Sequence, residues 1–331
     1  MTFLDEENKS QLSLKIVEHL AALWFKKSNI LYDNQFNIPE SGDKIPDIIN
    51  EMEWNLLIHY KVQQKYGDGS VSTWIESTSH PGKYDPAKDP ARYYAGLRTR
   101  ENTLGYVTAA GVLALVYKNC TDCPTSYYDK WKKSAEWAWQ WAINEEHKCV
   151  YHFNFNNMSY TYNEPEVEGE VLARAALIMY KLSNKDPKYK QYFIKNINAT
   201  TYEEKYTDGM IVLESRSRNN GALFTFPIIF FLDDPDFDLF LNRLRLTNMG
   251  HINFFLTNQE NGTDYTYRNA YFYKSDHPFY ATMGWGYFIG SFQIEYIILG
   301  LYIYENVEEH EKYGDLYPKL LQSLAYFYDF N

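Results

Sequence analysis

The chain has 331 residues, enough to bury a large core in one barrel-type domain or in two smaller domains. Its formal net charge of −11 argues against nucleic acid or an anionic membrane surface as a partner, because phosphate contacts need a basic patch. No apolar run in the sequence is long enough to cross a bilayer, and the acidic start Met-Thr-Phe-Leu-Asp-Glu-Glu does not resemble a secretory signal.

Aromatic residues make up 18% of the chain, and 31 of them are tyrosines. Clefts that bind sugars stack the apolar ring faces on aromatic side chains, so this composition is compatible with a carbohydrate enzyme. Biased base composition in the gene would produce an Asn- and Tyr-rich chain equally well. The composition alone leaves both explanations open.

Three cysteines do not make a disulfide framework. Cys120 and Cys123 form one Cys-x-x-Cys in a polar loop, and no second pair of ligands at similar spacing indicates a zinc site. We expect free thiols or one loop disulfide. An Asn-rich chain produces several Asn-x-Ser/Thr triplets by chance, so their presence gives only weak support to a secreted protein. The triplets begin at Asn8, Asn119, Asn157, Asn198 and Asn261.

The first predicted element is an amphipathic helix over residues 11–27. A second helix follows a defined turn, in the segment Ile-Pro-Glu-Ser-Gly-Asp-Lys-Ile-Pro-Asp-Ile-Ile-Asn-Glu at residues 38–51, which we call the Ile-Pro-Glu-Ser-Gly motif. Pro46 suits a first helical turn, where its missing N–H costs nothing, and Asp47 favours the positive end of the helix dipole. One apolar stripe then recurs at helical spacing. Its members are Ile45, Ile48, Ile49, Met52 and Leu56.

Helical periodicity recurs along the rest of the chain, between irregular polar segments at residues 71–100 and 152–164. Loops of this length inside a domain are often functional. We predict helices at 101–118, 128–142 and 171–182, and at roughly 221–231, 237–258, 286–305 and 313–328. An Ala-Ala-Gly stretch at 109–111 should let a neighbouring helix approach closely.

No strand alternation persists, and no composition shift marks a linker. The sequence therefore predicts one all-α domain over residues 1–331, with about ten helices in hairpin pairs. Alternating short and long loops suit an α/α toroid, in which the long loops gather at one rim and build the cleft.

The Ile-Pro-Glu-Ser-Gly motif resembles a segment of glycoside hydrolase family 9, the cellulase family with an α/α barrel. Nearly every position of the family's Ile-Pro-Glu-Ser-Gly-x-x-Ile-Pro-Asp-(Ile/Leu)-(Leu/Ile)-(Asp/Asn)-Glu is present. The resemblance is collinear from about residue 12 to residue 331. It implies a six-hairpin glycosidase-like barrel, which we expect to be incomplete at its C-terminal end, and hydrolysis of β-1,4-linked glucan or a related β-glycan with inversion.

An inverting glycosidase uses two carboxyl groups about 6.5–9.5 Å apart, one as the acid and one as the base that activates water. The family places the base in an Asp-Ala-Gly-Asp-type motif before the first helix. Asp5 is our candidate base by this resemblance, although the glycine and the second aspartate are absent and an acidic helix N-terminus is a simpler explanation. The family's acid follows a Gly-x-Asn-Pro-Leu-Gly turn that would begin beyond Asn331. We therefore expect the chain to lack the acid and to be truncated at both ends.

Residues 69–81 look like a segment that lines substrate subsites in one branch of the family. Glu76 and His80 are candidates to hydrogen-bond sugar hydroxyls, and Trp74 is a candidate to stack on a sugar ring. A solvated loop explains these residues equally well. Arg98 and Arg100, at the start of the third helix, either orient substrate or pair with neighbouring acids, and the ion-pair explanation is the simpler.

The glutamate-rich segment at 160–170 resembles the acidic lead into an Ala-rich helix of the family. Tyr162, Glu164 and Glu170 are its candidate substrate-binding residues, and closely spaced carboxylates in a cleft raise one another's pKa. A solvated acidic helix start would look the same. Trp285 resembles the family's Trp-Gly turn, where the ring would face the cleft; plain core packing is the alternative.

Together these features predict an O-glycosyl hydrolase of the cellulase type that binds a polysaccharide or oligosaccharide. We expect a monomer that contacts neither nucleic acid nor membrane. Members of the family are usually secreted, which implies an extracellular location, although the start of the sequence does not resemble a secretory signal. We expect no cofactor: the family often holds calcium, but no metal ligand set is readable here.

Two alternatives stay open. The first is a catalytically silent carbohydrate-binding relative that uses Trp74 and Trp285 as stacking platforms. The second is another α/α-toroid enzyme, such as a polysaccharide lyase or a terpenoid-type cyclase, the latter needing an Asp-rich metal motif. The Asp cluster at residues 233–236 contains Pro235, which predicts a turn more than a metal-binding helix face.

Overall fold

The computed structural model describes residues 9–73, 75–77, 93–155, 158–164, 166–167, 169–199, 202–207, 210–215, 228, 230–238, 240–242, 244–245 and 318. The chain forms two compact units, Met1–Ala199 and Thr200–Asn331.

Six α-helices build the described part of the first unit. They are α1 (Lys9–Lys27), α2 (Asp47–Tyr66), α3 (Arg100–Asn119), α4 (Thr125–Ala142), α5 (Gly169–Leu182) and α6 (Pro187–Ala199). Consecutive helices pack as three hairpins, α1 with α2, α3 with α4 and α5 with α6. The sequence predicted five of them within about three residues, and it missed α6.

Helix α3 lies at the centre of this unit, because α1, α4 and α5 all pack on it. It is buried along almost its whole length and is accordingly apolar on every side. A Cβ at Gly111 would collide with Ile178 Cγ2 and would lie 3.0 Å from Leu182 Cδ1. The glycine therefore lets α5 approach α3 closely, and the prediction from the Ala-Ala-Gly stretch is confirmed.

The three odd-numbered helices run in the same direction. Near their N-terminal ends, Gly105 of α3 faces Leu14 of α1. Near their C-terminal ends, Lys118 Nζ donates to Asn184 Oδ1, just after α5. The connections of the unit therefore fall on two opposite rims. We call the described residues of 28–46, 120–124 and 183–186 the turn rim, and the described residues of 67–99 and 143–168 the hairpin rim.

Short antiparallel strands interrupt the helical pattern, so the prediction that no strand would persist is wrong at three places. The pairs are β1 (Ile75–Ser77) with β2 (Tyr93–Ala95), β3 (Val150–Phe155) with β4 (Met158–Asn163), and β5 (Tyr202–Thr207) with β6 (Met210–Ser215). In β3, aromatic residues alternate with His and Asn, and aromatic residues favour strands. The segment predicted as a polar loop at 152–164 is therefore mostly a β-hairpin.

In the second unit, the described residues contain the β5–β6 hairpin and a short 3-10 helix at Pro235–Phe237. Asp234 caps this helix by accepting from the amide of Asp236 at 3.2 Å. The Asp cluster is thus a turn, as predicted. The helices predicted near 221–231, 237–258, 286–305 and 313–328 lie mostly outside the described residues.

The turn between α3 and α4 is closed by a disulfide between Cys120 and Cys123, and Cys149 is a free thiol. The sequence left open either free thiols or one loop disulfide, and the structure has the loop disulfide. Among the described residues, no helix has both the length and the apolar character that a membrane span requires.

Candidate functional site

The hairpin rim is the part of the first unit where a ligand site is best placed. The N-terminal ends of α3 and α5 meet there, and both long connections of the unit return to it. Binding residues are often found on loops held by a rigid scaffold.

Backbone pairing closes the first connection at its base. The amide and the hydroxyl of Thr73 both donate to the carbonyl of Leu97, each at 2.8 Å, and Ser72 forms an antiparallel bridge with Arg98. Thr99 then caps α3 by accepting from the amide of Asn102. The two ends of residues 67–99 are therefore fixed directly beside the start of α3.

A buried polar network fixes the beginning of the same connection. The Gln63 amide nitrogen donates to the carbonyls of Gly69 at 3.0 Å and Ser134 at 3.1 Å. The Ser134 hydroxyl in turn donates to Gln63 Oε1 at 2.5 Å and bonds with the hydroxyl of Tyr106. The network joins side chains of α2, α3 and α4, and it anchors the start of residues 67–99 to these three helices.

Glu164 ties the second connection to the first. One of its oxygens accepts from the amides of Arg100 at 2.7 Å and Glu101 at 3.2 Å, and the other accepts from Cys149 at 2.9 Å. The side chain lies at the positive end of α3 and the residue is only 2% exposed. Burial raises the pKa of Glu164, against the lowering effect of the three amides. Its contacts are those of a structural acceptor.

The two predicted arginines have different environments. Arg100 is buried, and its Nε donates to the carbonyl of Ala142 at 2.9 Å. Arg98 is exposed, pairs with Asp68 at 2.7 Å and lies over the ring of Tyr66. The ion-pair explanation is therefore confirmed for Arg98.

An aromatic ring and an imidazole complete this surface beside Arg98. His147 stacks on Trp141 with ring centroids 4.7 Å apart, and its Nδ1 bonds to the Trp141 carbonyl at 2.8 Å. His147 also acts electrostatically on Asp68. Burial works to raise the pKa of Asp68, but the hydroxyl and amide of Ser70, with Arg98 and His147, hold it below the ordinary value.

The outer edge of the rim displays tyrosines. Tyr94 of β2 is 53% exposed and Tyr151 of β3 is 47% exposed. Tyr162 lies opposite Tyr151 in the register of β3 and β4, and His152 bonds to the hydroxyl of Thr161 at 2.9 Å. Apolar rings beside hydroxyl and imidazole groups are the side chains that a sugar needs for stacking and hydrogen bonding.

Five predicted site residues lie on this rim or directly beside it, namely Glu76, Arg98, Arg100, Tyr162 and Glu164. Glu76 lies in β1 and pairs with Tyr94, but its side chain is not described. Glu170 is buried in the first turn of α5. The remaining predicted residues lie outside the described residues. They are Asp5, Trp74, His80 and Trp285.

Sequence reasoning missed Tyr66, Asp68, Tyr94, His147 and Tyr151 at this rim. The only signal for them was their position within or beside the long polar segments. No group of three or more His, Cys, Asp or Glu side chains in the described part of the chain is arranged to hold a metal ion.

No protein-family model matches the chain, and no curated protein matches it either. Solved structures do. A metagenome-derived glycoside hydrolase family 9 endoglucanase superposes with a TM-score of 0.63 at 17% identity, over 96% of this chain and 52% of that one. The Bacteroides ovatus GH9 structure gives a TM-score of 0.57 at 17% identity, over 80% and 46% of the two chains. A single mutant of a thermostable endoglucanase from Alicyclobacillus acidocaldarius gives 0.51 at 12% identity, over 78% and 46%.

The chain thus spans about half the length of the solved structures that it matches. At these identities the likeness shows the fold. It is the mostly helical α/α-toroid fold of the family 9 endoglucanases, and the predicted fold class and resemblance are confirmed at that level.

Proposed function

We propose that this chain is a glycoside hydrolase of the cellulase type that acts on β-1,4-linked glucan with inversion. The observation that carries the proposal is the family 9 fold over 96% of the chain, shared with an enzyme described as an endoglucanase. The Ile-Pro-Glu-Ser-Gly motif adds support from the sequence, independently of the superposition. A fold alone hosts many activities, so the proposal also needs a suitable site.

The proposed substrate site is the hairpin rim. Tyr94 and Tyr151 offer exposed rings, and Arg98 and His147 are polar groups on the same rim. Such a surface suits a neutral glycan, whose ring faces are apolar and whose edges carry hydroxyls. Trp74, Glu76, His80, Tyr162 and Trp285 stay proposed substrate contacts, whereas the burial of Glu170 at the start of α5 speaks against a contact there.

The proposed chemistry needs a base that activates water and an acid that protonates the leaving oxygen. Asp5 is the proposed base. Asp68 and Glu164 are unsuited to either task. Asp68 is paired with Arg98, and Glu164 accepts hydrogen bonds from three backbone amides. We assign them to the support of the rim, and we assign no residue as the acid.

The test is to incubate the chain with cellohexaose and follow the anomeric protons of the products by NMR. The proposal expects products that first appear as the α-anomer, and loss of most of the rate in Asp5→Asn. Products that first appear as the β-anomer would rule out inversion. Saturable binding without products would instead support the silent carbohydrate-binding relative. Turnover of a polyuronate to an unsaturated sugar would support a lyase.

We further propose that the protein works outside the cell, as a monomer, with no nucleic acid or membrane partner and no cofactor. The Cys120–Cys123 disulfide supports the location, because disulfides persist in oxidising compartments. The negative charge supports the absence of a nucleic acid partner.

A further inference from the structure

The turn between α3 and α4 carries two features that have no part in the proposed sugar-binding site. Asn119, Cys120 and Thr121 form an Asn-x-Thr triplet, the acceptor pattern for N-glycosylation. Cys120, the middle residue of that triplet, is bonded to Cys123. Asn119 and Thr121 are exposed, whereas both cysteines are buried.

We propose that Asn119 is an N-glycosylation site, and that closure of the Cys120–Cys123 disulfide limits how often it is modified. The co-reactant is an oligosaccharide linked to a lipid through pyrophosphate. Asn119 Nδ2 forms a bond to C1 of the sugar, the bond from C1 to the pyrophosphate oxygen breaks, and the lipid pyrophosphate leaves. The proton lost from Nδ2 balances the charge on the leaving pyrophosphate, so no oxidant or reductant is needed.

Asn119 is the triplet asparagine whose side chain the structure describes. Asn8, Asn157 and Asn261 lie outside the described residues, and the side chain of Asn198 is not described. Asn119 is the last residue of α3, on the turn rim. A glycan there would project from the rim opposite the proposed sugar-binding site, so it would leave that site open.

Two independent requirements point to the same compartment. A disulfide forms and persists under oxidising conditions. Modification of Asn-x-Thr triplets occurs in proteins that enter the secretory route. A single turn that contains both features is consistent with a chain that passes through that route.

The local geometry explains why the two modifications compete. Asn119 Nδ2 donates to the carbonyl of Leu115 at 2.8 Å, within the last turn of α3. The amide of Cys120 donates to the carbonyl of Tyr117, and the amide of Cys123 donates to the carbonyl of Cys120. A transferase must free Nδ2 from Leu115 and turn the triplet outward. The closed disulfide holds Cys120 inward, so only the open form of the turn is a good acceptor.

The test is to secrete the full chain, behind a cleavable leader, from a eukaryotic host. Removing the glycans with peptide:N-glycosidase in ¹⁸O water labels each modified asparagine, and mass spectrometry of the peptides gives the occupied fraction at Asn119. The variants are Thr121→Ala, which destroys the triplet, and Cys123→Ser, which opens the turn. Thr125→Ala is the matched control for Thr121→Ala, since Thr125 is an exposed threonine just after the same turn and outside any triplet.

We expect label at Asn119 in Cys123→Ser, at least about twofold more than in the parent, because reactivity follows the fraction of the competent form. Thr121→Ala should remove the label, and Thr125→Ala should leave it unchanged. Absence of label from both the parent and Cys123→Ser would overturn the site. Equal labelling of the parent and Cys123→Ser would show that disulfide closure does not limit glycosylation.

A second measurement tests the competition even if Cys123→Ser folds poorly. A membrane-permeable dithiol added during synthesis of the parent opens the same disulfide without any substitution, and it should raise the label at Asn119. An unchanged label would count against the competition. Neither experiment depends on hydrolysis, so failure of the proposed cellulase activity leaves this inference untouched.

Discussion

The turn rim and the hairpin rim of the first unit are held together by different kinds of contact. On the turn rim, aspartates bond to amides close in sequence: Asp33 accepts from Gly42 and Lys44, and Asp47 accepts from Asn34 and Phe36. On the hairpin rim, the ties cross long stretches of chain. Glu164 reaches the start of α3, and Gln63 of α2 reaches Ser134 of α4.

The difference separates the contacts that support stability from the surface that we propose for binding. The turn rim consists mainly of local turns whose polar side chains bond to nearby backbone, and the bond from Lys118 to Asn184 is a longer-range tie at the same end. The hairpin rim is buried at its base, where Gln63, Thr73 and Glu164 are hydrogen-bonded and the hydroxyl of Ser72 has no partner among the described residues, but it exposes tyrosines at its outer edge. Changes at the turn rim or at the base should therefore lower stability, whereas changes at the outer edge should lower affinity for sugar.

Glu164→Ala should have the largest effect. It leaves three buried or half-buried amides without their acceptor, and we expect the free energy of unfolding to fall by about 4 kcal/mol. Urea unfolding followed by circular dichroism measures the change. The matched control is Glu166→Ala, because Glu166 is exposed and pairs only with Lys148 among the contacts of the described residues. An equal loss in both variants would mean that Glu164 does not anchor the rim.

Asp47→Ala tests the turn rim. The carboxylate accepts from the amides of Asn34 at 3.0 Å and Phe36 at 2.6 Å and from the hydroxyl of Ser41. We expect a loss of about 3 kcal/mol in urea unfolding, with no change in cellohexaose affinity. Asp122→Ala, at an exposed position on the same rim, is the control. A weakened affinity in a folded Asp47→Ala would contradict the separation of the two rims.

Gly69→Ala tests how tightly the base of the hairpin rim is packed. Gly69 has φ +98°, and an added Cβ would lie 2.5 Å from the carbonyl oxygen of Trp137. We expect a loss of about 2 kcal/mol or more. Gly67→Ala is the control, since Gly67 also has positive φ but its Cβ would meet no atom within 4 Å. It should cost only about 1 kcal/mol, and the reverse order would show that the approach to Trp137 does not matter.

The pH dependence of stability should report on His59, which lies between the two rims beside Tyr106. Burial lowers the pKa of His59 to about 4, below its value of about 6.5 in the unfolded chain. The unfolded state therefore takes up the proton first as the pH falls. His59 should contribute at most about 1.4 kcal/mol per pH unit to the drop in stability between about pH 6.5 and pH 4.

Urea unfolding of His59→Gln across this pH range provides the comparison. The slope should become shallower than that of the parent. His152→Gln, at an exposed position of β3, is the control for the substitution itself. A parent and a His59→Gln variant with identical slopes would show that His59 titrates alike in both states.

Much of the first unit could be predicted because its helices carry apolar residues at helical spacing. Helix α6 has the same signal, with Tyr189, Phe193 and Ile197 all buried at four-residue spacing. Lysines and asparagines between them diluted the pattern. The β3–β4 hairpin was missed for a related reason, since its alternation uses Tyr and Phe against Asn, His and Thr rather than a plain apolar set.

The site was harder to predict because its contacts are not local. The sequence indicated that Arg98 would pair with an acid. Its partner Asp68 lies 30 residues away, so the sequence did not identify it. The buried position of Glu164 depends on amides 63 and 64 residues away, which no spacing rule reveals. Asp47 was assigned to the helix dipole, yet it also accepts hydrogen bonds from the amides of Asn34 and Phe36, which lie just before the motif.

The most direct test of the proposed function is calorimetric titration of cellohexaose into the parent, Tyr151→Ala and Tyr32→Ala. The two tyrosines are similarly exposed, at 47% and 60%, but Tyr151 lies on the hairpin rim and Tyr32 on the turn rim. We predict measurable binding by the parent, an affinity about tenfold lower in Tyr151→Ala, and no change in Tyr32→Ala. Absence of binding by the parent, or equal losses in both variants, would contradict a sugar site at the hairpin rim.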